Sequence, residues 1–451
     1  MEPDQQAPPA PPADPVSVGE LSLPGVVRSG AAVLGIIGVG LLLQYGIQIG
    51  LARLLGRAGF GRYSLLFAVV ALVALPAGLG LRGAAIRFLP HYLHQGRTGL
   101  ARGFVIRGHQ LVIAGGVVTW AVIVAVVALS AGGEPAADYA VALSAVPALG
   151  WVMFDQHALR AAGHPIDGFA TFWLVRPLAV GGSLLAVLLV LGADVGPRAA
   201  LAATTAGLVM TAVVQTATLR RRVRPGPAPE LDTRAWLQVG LPLVVVSTSQ
   251  EVIGRGGLLV LGAFDHPSDV APYAAAVRTS LLVSMCFIAV QAAAGPRMAR
   301  LRAAGDEHGL QLLVRRAIGV AAIPTAVGAV VIILAGRPIL RLFGPGFEDG
   351  YGALVVLAIG TFVASIVGPV SELLVIAGQQ RVVAKVYVVS AVTTVGLALA
   401  LVPAFGATGA GVATAVAVAG ENVWQWALVE RLTGVRLLRP RREGVDRPAG
   451  S

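Results

Sequence analysis

A few charged and amide side chains interrupt long apolar stretches of this sequence, and its chemistry has to lie with them. Arg255 and Arg278 stand in two such stretches, with Glu251 four residues before Arg255; Glu421 and Arg176 stand in others. A guanidinium is a rigid fork that donates to two anionic oxygens at once. At the centre of a membrane helix it costs roughly 2.5–3.5 kcal/mol on insertion scales, so it turns to a bundle interior or to water, or snorkels. Glu251 and Arg255 share a helix face, in the favourable order for an ion pair. Glu251 therefore either neutralises Arg255 or carries a proton, and Glu421 is a second candidate proton carrier. Gln44, Gln48, Gln110, Gln250, Gln291 and Asn422 either bind a ligand's hydroxyls or bond neighbouring helices. Asp155 and Arg176 are expected to pair with each other or to hold head groups. Trp151, Trp173, Trp424 and Trp426 read as interface anchors.

Other chemistries lack their residues. The sequence contains no GxxxxGK[ST] loop, no HExxH, no GxSxG and no Cys/His cluster. The one cysteine, Cys286, lies in an apolar run. Among the loops only Asp306-Glu307-His308 gathers acids and a histidine, and it reads as a solvated turn. The expectation is a protein that is not an enzyme and has no metal or cofactor.

The elements that carry these residues follow from composition. Of 451 residues 56% are hydrophobic and 13% charged, and mean hydropathy is +0.78. Soluble domains cannot cover so much apolar surface, and disorder needs the opposite composition. Twelve apolar segments are legible, at 30–52, 62–81, 108–130, 138–158, 169–192, 199–219, 237–262, 274–294, 314–335, 350–376, 383–404 and 408–429. Each is near the length that crosses about 30 Å of hydrocarbon at 1.5 Å per residue. Residues 80–107 are amphipathic and are expected to extend the second helix along the membrane surface.

Basic residues set the orientation. With the amino terminus inside, 25 of the 34 basic residues fall inside, 6 outside, and Arg176, Arg255 and Arg278 in the membrane. The positive-inside rule then puts both termini in the cytoplasm of a cell-membrane protein. It also accounts for the net charge of +11 without nucleic acid as a partner. Arg53, Arg57 and Arg62, between the first two helices, break the rule and need another role. They are expected to touch the substrate, or acids such as Glu348 and Asp349 at an outer gate.

The chain also repeats. Gly56, Tyr63, Pro90 and Gly96 have echoes in Gly262, Tyr273, Pro296 and Gly305, and Ala162-Gly163 and Gly192-Ala193 in Ala377-Gly378 and Gly406-Ala407. Two six-helix halves of the same orientation result, because six crossings return the chain to its starting side. The division is a disordered tail at 1–24, a lobe at 25–222, a linker at 223–233, a second lobe at 234–433 and a basic tail at 434–451. Two such bundles facing a central cleft suit transport by alternating access.

Several motifs in order resemble one family. Leu51-Ala52-Arg53-Leu54-Leu55-Gly56 with Phe60-Gly61-Arg62-Tyr63, then Arg87-Phe88-Leu89-Pro90, Leu342-Phe343-Gly344-Pro345-Gly346-Phe347, Gly368-Pro369, Ala377-Gly378-Gln379 and Gly409-Ala410-Gly411 resemble the polysaccharide-exporter branch of the multidrug/oligosaccharidyl-lipid/polysaccharide flippase superfamily, over residues 28 to 433. The resemblance implies an all-α fold of two six-helix lobes in a V. It implies flipping of undecaprenyl-diphosphate-linked oligosaccharide, such as an O-antigen or teichoic-acid repeat unit, to the outer leaflet, driven by an ion or the membrane potential. On that reading Arg255, Arg278 and Arg53 are candidates for the diphosphate, Glu251 and Glu421 for coupling, and Gln44, Gln250 and Asn422 for sugar. Partners would be the lipid-linked oligosaccharide, membrane lipids, a polysaccharide polymerase and glycosyltransferases. Where many relatives carry an Asp in helix 7, this chain has Gly257, which departs from a shared coupling-ion site. The alternatives are a multidrug exporter of the same superfamily, or a non-transporting scaffold or enzyme of glycolipid synthesis.

Overall fold

The computed structural model describes residues 23–131, 133–192, 194–223, 227–264, 267–285, 287–288, 294, 297–298, 300–302 and 304–433. Both tails, Cys286, Gln291 and Pro296 lie outside them. The first half consists of α1 (Leu23–Ala77), α2 (Leu81–His94), α3 (Thr98–Ala131), α4 (Gly133–Leu143), α5 (Ala145–Ala161), α6 (Pro165–Ala170), α7 (Arg176–Leu191) and α8 (Pro197–Arg222). The second consists of α9 (Thr233–Phe264), α10 (Pro267–Ser280), α11 (Glu307–Arg341), α12 (Tyr351–Val367), α13 (Val370–Ile376) and α14 (Gln380–Thr433). Among the described residues nine helical runs are long and apolar enough to cross a membrane.

Two of those runs are hairpins. α1 breaks at Gly56, whose φ of 66° and ψ of −178° suit only glycine. Tyr45 and Phe60 both lie within 6.2 Å, ring to ring, of Phe343. In a straight helix they would be about 22 Å apart, so the chain reverses between them. α14 reverses at Gly406, where a Cβ on Gly409 would lie 2.5 Å from the Leu401 carbonyl. The nine runs thus hold eleven crossings. The eighth expected crossing, 274–294, starts in α10 and continues partly outside the described residues.

Reversals at Gly56, Gly192 and Gly406 define one face, the turn side. The opposite face, the linker side, carries residues 222–223 and 227–233. The segment 80–107 departs from its surface expectation. The second arm of α1 ends at a break where Leu79 has φ 51°, and α2 resumes beneath it. Leu81, Ala84 and Leu89 of α2 are buried with Phe104, Phe154 and Trp236. Apolar residues on both faces of α2 and early α3 find partners in α5 and α9, so these elements join the bundle rather than lie on its surface.

The repeat is visible in bonding. Tyr63 and Thr204 pair their hydroxyls at 3.1 Å, and Tyr273 and Thr414 theirs at 3.2 Å, both across 141 residues of chain. Each bond ties the second crossing of a half to its sixth. Among the described residues the halves meet chiefly through α1 and α2 of one and α9 and α10 of the other.

Candidate functional site

Three arginines converge between the halves. Arg176 opens α7; its Nη2 donates to Gln44 Oε1 on the first arm of α1 at 3.0 Å, and its guanidinium lies 4.0 Å over the Phe172 ring. Arg278 is in the last turn of α10, 5.8 Å over the Phe60 ring, with a buried Nε that has no hydrogen-bond partner among the described residues. Arg255, midway along α9, is ion-paired to Glu251 one turn away. It is close enough to interact electrostatically with both Arg176 and Arg278. Three guanidiniums against one carboxylate leave a surplus of at least two positive charges between the halves. Tyr63 lies within reach of Arg176 and Arg278, and Tyr45 Oη meets Thr279 Oγ1 at 3.0 Å across the halves. Like charges held together without counter-ions are costly, and such an arrangement can take up an anion.

On the linker side of Glu251 stands another cation. Arg82 Nη1 of α2 donates to the Met153 sulfur at 3.9 Å. Arg82 and Glu251 are close enough to interact electrostatically. Arg82 lines a small pocket with Gly78, Gly80, Met153, Phe154 and Ser247. Glu251 thus sits between Arg82 and Arg255.

The turn side above the cluster is sealed. Arg57 Nε donates to the Ser268 carbonyl at 2.6 Å, Nη1 to Asp349 at 2.6 Å and Nη2 to Asp269 at 3.5 Å. Arg53 Nε donates to the Leu342 carbonyl at 2.7 Å. Beneath them Phe60, Phe343 and Phe347 pack ring on ring, 5.8 to 6.2 Å apart. Gly61 presses so closely on the Pro267 carbonyl that no side chain fits there. Arg62 and Arg198 both pair with buried Asp138 inside the first half. Of the acids anticipated as partners, Asp349 takes Arg57, while Glu348 pairs with Arg341.

The sequence candidates therefore separate. Arg255, Arg278, Glu251 and Gln44 share one site. Arg53 belongs to the seal. Glu421 lies in a second polar cluster inside the second half: it accepts from Gln425 Nε2 at 3.3 Å, Ser371 donates to Gln425, and Tyr387 donates to Ser371 at 3.2 Å. Gln250 reaches the Tyr387 hydroxyl of that cluster. Asn422 spends its amide on the Val418 carbonyl of its own helix, at 2.8 Å. The expected Asp155–Arg176 pair does not form. Fully buried Asp155 binds His109 and Thr216 instead, and Trp151 donates to the same Thr216 at 2.9 Å rather than standing free at an interface. Arg176, expected near a helix end, is the member of the cluster that sequence reasoning placed apart. Its signal was available: with Arg255 and Arg278 it is one of three arginines that fall inside the apolar segments away from their edges.

The fold has solved relatives. A multidrug resistance MATE family transporter of the MOP superfamily in an inward-facing conformation superposes with a TM-score of 0.68 at 17% identity, covering 91% of this chain and 100% of that one. An outward-facing structure of such a transporter gives 0.68 at 16% identity, covering 91% and 96%. A MOP superfamily transporter from Pyrococcus furiosus, described as having a binding pocket of reverse polarity that suggests a different function, gives 0.67 at 16%, covering 91% and 96%. No curated protein matches. A MatE family model matches residues 242–418. The model described as polysaccharide biosynthesis protein matches residues 26–302, more than half of the sequence, and the chain belongs to that family, within the superfamily its two-lobed helical fold represents.

Proposed function

We propose that this transporter flips a lipid-linked oligosaccharide across the cell membrane, holding the diphosphate between Arg176, Arg255 and Arg278. The observation that carries the reading is the surplus of at least two positive charges contributed by both halves to the space between them. A diphosphate diester brings two negative charges and oxygens suited to guanidinium forks. Gln44 and Tyr45 are polar neighbours for the head group. The seal at Arg57 and the Phe60, Phe343 and Phe347 rings closes the turn side, which we assign to the outer face, so the site is poised to load from the linker side, the cytoplasm. That orientation rests on the basic residues and puts both termini inside. A reporter fused after Ser451 that works only outside the cell would overturn it. The two halves, 25–222 and 234–433, act as the rocking lobes. Glu251 and, in its separate cluster, Glu421 are the candidates for ion coupling. Polymerase and glycosyltransferases are the partners such a substrate requires.

Drug export within the same fold is the second reading, favoured by the multidrug transporters among the structural neighbours. A cationic drug would meet uncompensated positive charge here, which argues against it. The test is accumulation of lipid-linked oligosaccharide on the inner leaflet. Arg278→Ala at normal protein level should cause it, and Arg255→Lys should export partly, since it keeps the charge and loses the fork. Normal export by Arg278→Ala and Arg255→Ala alike would return the cluster to a structural role.

A further inference from the structure

α6 and α7 follow one axis, yet Thr171–Val175 between them form a π turn. Such a turn holds one residue more than an α turn and recurs at functional sites. The extra residue sets back all that follows by one position, about 100° of rotation. The first residue after the turn is Arg176. The segment before it is pinned: Arg222 Nε donates to Asp167 at 2.8 Å, and the Arg160 guanidinium lies 4.6 Å over the Phe169 ring. With that end fixed, a plain α continuation would swing Arg176 away from Gln44 and out of the cluster.

The turn is held from both sides. Thr171 Oγ1 donates to the Asp167 carbonyl at 2.8 Å and accepts from Gln215 Nε2 of α8 at 3.1 Å. Gln215 is fully buried, its Nε2 is spent on Thr171, and its Oε1 has no hydrogen-bond partner among the described residues. Opposite, the bulged backbone at Trp173 presses on Gly40 of α1, where a Cβ would come within 2.1 Å of the Trp173 carbonyl. We propose that Thr171, Gln215 and Gly40 are positioning residues for substrate binding, clamping the π turn whose added residue aims Arg176 at the anionic head group. The inference rests on the reading of Arg176 as a ligand.

The test uses the full chain in detergent with farnesyl diphosphate as probe, reading its half-saturating concentration from tryptophan fluorescence and the melting temperature alongside. Arg176→Ala should raise half-saturation about tenfold or more, the loss of one charged hydrogen bond. Gln215→Leu and Thr171→Val should each raise it several-fold, and Thr171→Ser, which keeps the hydroxyl, should bind as the wild type does. In the Arg176→Ala background, Gln215→Leu should change binding no further, because its effect runs through that side chain. Equal weakening by Gln215→Leu with and without Arg176 would overturn the proposal, as would wild-type binding by Gln215→Leu alone. Wild-type binding by Arg176→Ala would sink the ligand reading and this inference together. If Gln215→Leu does not accumulate, Thr171→Val against Thr171→Ser makes the same comparison with one hydroxyl, and equal binding by those two decides against the clamp.

Discussion

Arg53, Arg57 and Arg62 on one hand, and Arg176, Arg255 and Arg278 on the other, are the same side chain put to opposite uses. The first three end on oxygens of this protein: the Leu342 carbonyl, Asp269 and Asp349, and Asp138. The second three share Glu251 among them, and Arg278 leaves a buried Nε without a partner among the described residues. Partnered arginines near water fasten one part of the chain to another. Unbalanced ones between the halves store an unmet demand for negative charge. The positive-inside rule sorts loops by side and does not say what an arginine binds; the location of the acids does.

The division can be broken by experiment. The largest effect is expected at Arg278→Ala, where lost charged hydrogen bonds of about 1.5–3 kcal/mol correspond to roughly 10–100-fold less export, measured as inner-leaflet accumulation at equal protein level. Next is Glu251→Gln. If Glu251 only balances Arg255, the variant should export within a few-fold of wild type at lower stability; if it carries a proton, export and its pH dependence vanish together. Arg57→Ala should loosen the seal. Partly exposed ion pairs contribute about 0.5–1 kcal/mol, so a cysteine at Phe347 should react two- to five-fold faster with an impermeant thiol reagent added from outside. Arg57→Asp combined with Asp349→Arg should slow that reaction again. Arg62→Ala leaves Asp138 with Arg198 alone, and should lower the melting temperature by a few degrees while export persists. The smallest effect is expected at Arg53→Ala, which loses one bond to a carbonyl at the surface and should export within twofold of wild type. A loss there as deep as that at Arg278 would erase the distinction between the two groups.

Much of the fold was legible because membrane crossings announce themselves as apolar runs, and Gly56, Gly192 and Gly406 mark reversals that need a left-handed backbone. The site was legible only as far as types and spacing reach. Glu251 and Arg255 are neighbours on one helix, so their pairing follows from the sequence. Arg176 meets Gln44 across 132 residues, and no local pattern reports such a contact. The π turn that brings it there is likewise silent, since Thr171–Val175 reads as ordinary helix. Residues 80–107 were misjudged because amphipathicity measures two faces without saying what covers them; Trp236, far along the chain, covers one.

The matched bonds of Tyr63 with Thr204 and Tyr273 with Thr414 have a mechanical consequence. Each half closes its own keystone with its own hydroxyls. When the halves part on the turn side, Arg53 and Arg57 surrender bonds at a surface where water can replace them, and the buried Tyr45–Thr279 bond opens into a cleft that water then fills. The keystones stay shut throughout, so the swing of one half against the other unties only knots that solvent can retie.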